Sequence, residues 1–506
     1  MDNLSDSQLE VYDKLQTFIN QDLSKIFHLN GAAGTGKTTI ISIFIKNIIE
    51  NIEFQNKIYL LSPTNKAVNI LKQKSNYLED ERVEFLTIDK FLNCIERINE
   101  YGYSYFCPKD LRSVYIKGKL YFIDDTNNKT KLNSIKRDKD ILNNPLKYCS
   151  TNILDFVDEK DVIVIDEISM LNNDKWNIIK TFCKGKMILM GDKYQLEAIS
   201  DNMNNSFDKQ SIIFDENYNE NDYFELTKIL RTDDLEIFKI YEITRSFIDS
   251  TPSLSEICAE FRKYNIKRTG IKEEIIKLIK SYLLNDEDFA VLSYRNKIVD
   301  EFSQVIGKCL LETKTNKYGY FLNTKYIMKA HFNKRLTNNT EFQIQDVIYE
   351  NNKYLLKIIT ETKHTLEITV YDKEEYDSLS ESILSNLSKL KKFTTNKCDI
   401  NEKRELIKYA EDVVNQDPSI KTLYKDSIEG AIIKLKQDLR ILVLKGDENF
   451  NLGYSMTIHR AQGSTFDYGI INLRDIFCVN LIDLEEKARL LYVASSRFSK
   501  GIIYYI

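Results

Sequence analysis

At 506 residues the chain exceeds what one hydrophobic core serves, and at roughly 150 residues per domain it divides into three or four units. Its 42% hydrophobic and 29% charged residues suit a globular protein. No apolar run reaches the roughly 18 residues that span a membrane, and Met1 to Glu10 is polar and acidic, which argues against secretion. The expectation is an intracellular, cytoplasmic protein without a membrane partner, with bacterial, viral and nuclear settings all open. A formal net charge of −5 excludes a uniformly basic coat, so any strand-binding groove must be local. Eight cysteines without a C-x-x-C pair, beside four histidines, read as reduced buried thiols rather than a zinc site. Only 16 of the 71 basic side chains are arginine, as AT-biased coding produces, so an arginine kept inside a motif points to bidentate phosphate contact.

In chain order, SKIFHLN at 24–30 reads as a short buried strand running into GAAGTGKT and an apolar-periodic helix. KIYLLS at 57–62, VIVI at 162–165 and KMILM at 186–190 are continuous apolar runs, which predict strands of a parallel sheet covered on both faces. Between them, 96–150 is an excursion with Tyr101, Tyr103, Tyr105 and Phe106 clustered ahead of a predicted hairpin. A second strand-then-helix series starts at DFAVLSYRN near Asp288 and resumes with ILVL from Ile441, YGIINL at 468–473 and GIIYYI at 501–506. The alternating segments between Tyr326 and Tyr371 predict a small antiparallel β-barrel, and 372–436 turns charged and helical.

Three elements define nucleotide chemistry. GAAGTGKT matches G-x-x-x-x-G-K-[ST], so the backbone of Gly31, Ala32, Ala33, Gly34, Thr35 and Gly36 would cradle phosphates. Lys37 would reach the β and γ phosphates, Thr38 would ligate Mg²⁺, and Thr39 borders the same site. In VIVIDEISM, Asp166 would hold the metal and Glu167 would activate the attacking water. MILMGDKYQL places Gln195 past a strand end, where an amide senses the γ-phosphate, while Asp192 supports the loop or the metal shell. The cofactors expected are ATP and Mg²⁺. No nuclease constellation stands out.

With these motifs in order, the chain resembles superfamily 1 DNA helicases of the RecD-like and Dda-like branch, whose members mostly move 5′ to 3′. The resemblance implies an α/β fold with two RecA-like P-loop motor domains with parallel sheets, an inserted aromatic/hairpin subdomain, and an inserted SH3-like β-barrel with a helical extension. The boundaries expected are 1–95 with 151–220 for the first motor, 96–150 for the hairpin or wedge, 221–322 with 437–506 for the second motor, 323–372 for the barrel and 373–436 for the extension. LSDSQLEVYDKL looks like the family's Q-motif, in which Gln8 reads adenine. By resemblance, Pro63, Thr64, Asn65 and Thr87 touch the strand; Asp89 stands where the family has His. Arg231 in LTKILRT and Arg497 in YVASSRFSKG match the arginines that reach the γ-phosphate. In YSMTIHRAQGSTFD, Thr457 and His459 face nucleic acid while Gln462 and Gly463 border the nucleotide. In the barrel segment the family commonly has glycine where this chain has Thr340 and Glu341.

These features together imply an ATP-dependent DNA helicase, expected as a monomer, acting on single-stranded and forked duplex DNA beside replication or recombination proteins. Three other readings fit the same motifs: a translocating or remodelling ATPase without strand separation, a viral RNA helicase, and an ATP-gated recombination accessory protein.

Overall fold

The computed structural model describes residues 4–98 apart from 22–23, 52 and 76–79; the backbone of three strands within 104–124; 154–196 apart from 155 and 172; and 222–506 apart from 233, 315, 330–335, 337–339, 395–399, 417–426, 447–448 and 481. In chain order the first body contains α1 (Asp6–Asn20), β1 (Ile26–Gly31), α2 (Lys37–Glu50), β2 (Ile58–Ser62), α3 (Asn65–Gln73), β3 (Val83–Thr87) and α4 (Ile88–Phe91). The excursion adds two antiparallel pairs, β4 (Cys94–Ile98) with β5 (Ser104–Pro108) and β6 (Leu111–Ile116) with β7 (Lys119–Asp124). The expected aromatic cluster falls outside the described residues, at Tyr101 and Tyr103, or on side chains not described, at Tyr105 and Phe106. The first body resumes with β8 (Val162–Ile165), α5 (Asn173–Phe182), β9 (Lys186–Gly191) and β10 (Tyr223–Leu226).

Six strands form one sheet in the order β10-β1-β9-β8-β2-β3, every pair parallel. Side chains alternate across it with period two. Ile58, Leu60, Val162, Val164, Ile188 and Met190 join the core under α1 and α2. Tyr59, Leu61, Ile163, Ile165, Met187 and Leu189 join the opposite core, around Trp176 of α5. Burying each large apolar side chain contributes about 1.5–3 kcal/mol, which is why runs such as VIVI are apolar throughout rather than alternating.

The second body follows with α6 (Leu235–Ser250), α7 (Leu254–Lys263), β11 (Arg268–Thr269), α8 (Lys272–Leu284), β12 (Phe289–Ser293) and α9 (Asn296–Leu311). After the short pair β13 (Asn316–Lys317) and β14 (Tyr320–Phe321) come β15 (Lys325–Met328), β16 (Glu341–Glu350), β17 (Lys353–Thr360) and β18 (Thr365–Tyr371). Three helices follow: α10 (Lys373–Thr394), α11 (Ile400–Asn415) and α12 (Ser427–Leu444). The chain ends with β19 (Phe450–Leu452), β20 (Ser455–Thr457), α13 (Ile458–Ala461), β21 (Phe466–Asn472), α14 (Leu473–Phe477), α15 (Leu484–Ser495) and β22 (Phe498–Tyr505). The second parallel sheet has the order β11-β22-β21-β12-β20.

Two expectations are corrected, and the strands of a third extend beyond its expected bounds. ILVL at 441–444 is the last turn of α12 rather than a strand; a four-residue apolar run has no period of its own, and here it ends an 18-residue helix, with Ile441 exposed and Leu442 buried. The first sheet extends past 220, because β10 pairs in parallel with β1, so the chain leaves that sheet only after Leu226. Where the sequence predicts a small barrel within 323–372 there is a five-stranded antiparallel sheet, β18-β17-β16-β15-β19, whose last strand comes from beyond the helices. Among the described residues no helix is long and apolar enough to cross a membrane.

His28, in the middle of β1, is 1% exposed, and burial lowers its pKa from 6.5 to about 4. Between those values the unfolded chain binds a proton that the folded chain does not, so stability is full above pH 6.5 and falls as pH drops toward 4. The shift corresponds to about 3 kcal/mol. Denaturant titrations at pH 7 and pH 4.5 should show a smaller acid loss in His28→Asn than in the unsubstituted protein.

Candidate nucleotide and nucleic-acid site

Parallel strands place all their carboxyl ends on one edge, and that edge carries the site. Gly31 ends β1, and the loop to Lys37 needs two residues with positive φ, Gly34 (+84°) and Gly36 (+87°). Space as well as conformation demands glycine there. A Cβ on Gly34 would lie 2.5 Å from the Cβ of Arg231, and one on Gly36 would lie 2.4 Å from Nε2 of Gln8. Thr35 closes the loop by donating its hydroxyl to the Ala32 carbonyl at 2.9 Å. Lys37 donates to the carbonyls of Gly31 and Ala32 at 2.5 and 3.1 Å. Burial lowers its pKa, with Asp192, Glu167 and Asp166 opposing.

Asp166 follows β8 and is 9% exposed, its Oδ1 accepting the Glu167 N–H at 2.9 Å. Burial first and Glu167 second push its carboxyl up to about 7, against the field of Lys37. Glu167 itself has φ +53°, a left-handed conformation that costs a non-glycine residue about 1–3 kcal/mol and tends to occur at functional sites. Past β9, Gln195 is 3% exposed, and its buried Oε1 has no hydrogen-bond partner among the described residues.

The opposite wall comes from the connector and the second body. Leu230 donates its N–H to the Gly34 carbonyl at 2.7 Å, which seats Arg231 over the loop. The Arg231 guanidinium donates to the Ser496 carbonyl, and burial with Arg497 beside it lowers its pKa to about 10. Arg497 is 1% exposed and is held by the Val493 carbonyl at 3.0 Å and the Ser496 hydroxyl at 2.9 Å. Both amide atoms of Gln462 are buried without a partner among the described residues, and Gly463 follows with φ +78°. One cavity is lined by Gln8, Ala33, Gly34, Gly36, Lys37, Thr38, Thr39, Asp166, Glu167, Gln195, Arg231, Gly463 and Arg497. Gln8 reaches it as the third residue of α1, accepting from Ser5 N at 3.0 Å and donating to the Thr35 carbonyl at 3.3 Å.

The residues expected to touch nucleic acid lie along the same edges. Thr64, Thr87 and Thr457 each cap the helix that follows a strand, accepting from Ala67, Lys90 and Arg460 N–H at 3.2, 3.3 and 3.3 Å. Pro63 and Asn65 flank the first of these caps. His459, 5.9 Å from the Tyr294 ring, has its pKa lowered by burial and is neutral at pH 7. Asp89 pairs with Lys175 at 2.8 Å, which commits it to the protein. Sequence reasoning missed Tyr492 and Arg489 of α15, and Lys74 and Ile70, which line the cavity from α3 and its C-cap. Arg489 carried a readable signal: a scarce arginine eight residues before Arg497.

Residues 16–201 match the AAA domain family. An uncharacterized protein of Acanthamoeba polyphaga mimivirus, R530, is 24% identical over 97% of each chain. The RecBCD enzyme subunit RecD of Buchnera aphidicola is 23% identical over 88% of this chain and 65% of that one. A solved structure of a Bacteroides Pif1 helicase in complex with ADP-AlF3 and ssDNA is 13% identical with a TM-score of 0.43, covering 98% of this chain and 91% of that chain. The AAA domain match covers the stretch with Lys37 and Asp166, and the ordered motifs from Lys37 to Arg497 converge on one cavity. The chain is similar to RecD along most of its length.

The cavity described is the candidate nucleotide site. The P-loop and Arg231 are in van der Waals contact at Gly34, so a methyl group there must displace the arginine. Gly34→Ala should lower ATPase kcat/KM by about tenfold or more through a misplaced Arg231 and a strained loop. Steady-state hydrolysis with a melting-temperature control checks this.

Proposed function

We propose that this chain is an ATP-dependent DNA helicase that translocates 5′ to 3′ on single-stranded DNA and unwinds duplex ahead of it. The observation that carries the reading is the two-sided cavity. Lys37, Asp166 and Glu167 come from the first body, and Arg497 and Gly463 come from the second, with Arg231 in the connector. ATP bound there would be gripped from both sides, so binding favours closure and loss of the γ-phosphate permits opening. Thr64 and Thr87 on one sheet edge and Thr457 on the other would then hold the strand backbone in alternation, independent of base sequence.

Placement in the cavity supports the following roles. Lys37, Arg231 and Arg497 neutralise charge developing on the transferred phosphoryl group. Glu167 orients and deprotonates the attacking water, Gln195 senses the γ-phosphate with its free amide oxygen, and Gln8 presents the adenine-facing amide. A divalent cation fits beside Asp166: its buried carboxyl takes one backbone N–H from Glu167 and stands raised. Thr38 and Asp166 would hold Mg²⁺, which supplies positive charge to the β and γ phosphates when bound. Among the described residues no cluster of three or more His, Cys, Asp or Glu forms a metal site. The antiparallel sheet of β15 to β19 is read as the SH3-like module, and the domains as the two motors with their insertions, the first motor running to Leu226.

The test is strand displacement on forks with a 5′ or a 3′ single-stranded tail. Unwinding of the 5′-tailed fork alone, abolished in Lys37→Ala, is the expected result. Opening of the 3′-tailed fork would reverse the polarity, and ATPase stimulated by single strands without displacement would leave a translocase. Stronger stimulation by RNA than by DNA would redirect the substrate.

A further inference from the structure

The loop that carries Gln195 leaves the first sheet but is anchored in the second body. Leu196 is 3% exposed and belongs to the hydrophobic core formed by α6, α15 and the second sheet. Tyr194 packs against the same core, with the Arg245 guanidinium of α6 4.3 Å from its ring centre. Two side chains of α15 grip the turn between them. Arg489 donates through Nη1 to the carbonyls of Lys193 and Gln195 at 2.6 and 3.1 Å, and Glu485 steadies its other nitrogens at 3.1 and 3.0 Å. The Tyr492 hydroxyl donates to Asp192 Oδ2 at 2.7 Å and accepts the Ala33 N–H of the P-loop at 3.4 Å. Asp192 and Tyr492 are 0% and 1% exposed, so this hydroxyl bridges two loops of the first body out of reach of water.

We infer that Arg489 and Tyr492 are positioning residues that hold Gln195 at the γ-phosphate only while the two bodies are closed. The same helix face ends at Ser496 and Arg497, so the sensor loop, the Arg231 carbonyl anchor and the arginine finger are set by one rigid element. Opening must break the bonds from Arg489 and Tyr492 and withdraw Leu196 from its core, which removes Gln195 from register and makes hydrolysis conditional on closure. Arginine suits the position because Nη1 serves both carbonyls while Nε and Nη2 hold Glu485, a division of contacts that the single nitrogen of a lysine cannot make. The inference rests on Gln195 acting at the γ-phosphate.

Tyr492→Phe removes only a hydroxyl, and Arg489→Lys keeps the charge while losing the fork. Each should lower single-strand-stimulated kcat by about tenfold, with KM and the affinity for a fluorescent ATP analogue within about twofold. In a Gln195→Ala background either change should cost less than about twofold more, because the group being positioned is gone. Melting temperatures identify a variant that merely misfolds, and the other variant then decides. Unchanged kcat in both, or a full multiplicative loss on top of Gln195→Ala, overturns the inference. Inert Tyr492→Phe and Arg489→Lys variants beside an impaired Gln195→Ala defeat the clasp alone, whereas a Gln195→Ala protein with ordinary kcat defeats the underlying reading as well.

Discussion

The parallel run of strands in both large sheets is the constraint from which the rest follows. Because every strand ends on the same edge, side chains separated by up to about 160 residues, Lys37, Asp166 and Gln195 among them, meet in one cavity. The price of that geometry is a loop at every strand end. Each loop must be pinned by something, whether a glycine, a threonine cap or a contact from the other body.

Pinning is largely electrostatic. Lys37, Arg231 and Arg497 share a poorly solvated cavity with Asp166 and Glu167, and desolvation is the leading cause of shift at Lys37, Arg231 and Asp166. Charges held out of water in fixed positions stabilise a transferring phosphoryl group more than mobile surface charges do, because they need not reorganise. The same burial leaves amide atoms of Gln195 and Gln462 without partners among the described residues, a cost that folding alone does not explain and a polar ligand would offset.

Departures from the family pattern acquire physical content in the fold. Asp89, in place of the usual histidine, forms an ion pair with Lys175 of α5. Glu341, at a position where glycine is common, reaches Lys66 of α3 at 2.8 Å with both side chains largely buried. That pair ties the antiparallel sheet to the helix that starts at Asn65, beside the expected strand contacts. A buried ion pair adds little net stability, but losing one partner strands the other, so it specifies how the two parts meet.

Continuous apolar runs and a glycine-rich turn were enough to read two parallel sheets, because backbone conformation restricts which residues can stand at those spacings, and the family resemblance grouped Arg231 and Arg497 with Lys37, Asp166 and Glu167, which line one cavity. ILVL at 441–444 was not legible, since four apolar residues carry no period to separate helix from strand. Nor was the pairing of β10 with β1, a short edge strand whose partner lies almost 200 residues away. The grip of Arg489 and Tyr492 on the Gln195 loop was also invisible, because nothing local distinguishes a helix arginine that binds carbonyls from one that faces water. Sequence determined which groups can perform the chemistry, and only tertiary packing decided which of them touch across the cleft, since those contacts join segments about 300 residues apart by partners no local pattern records.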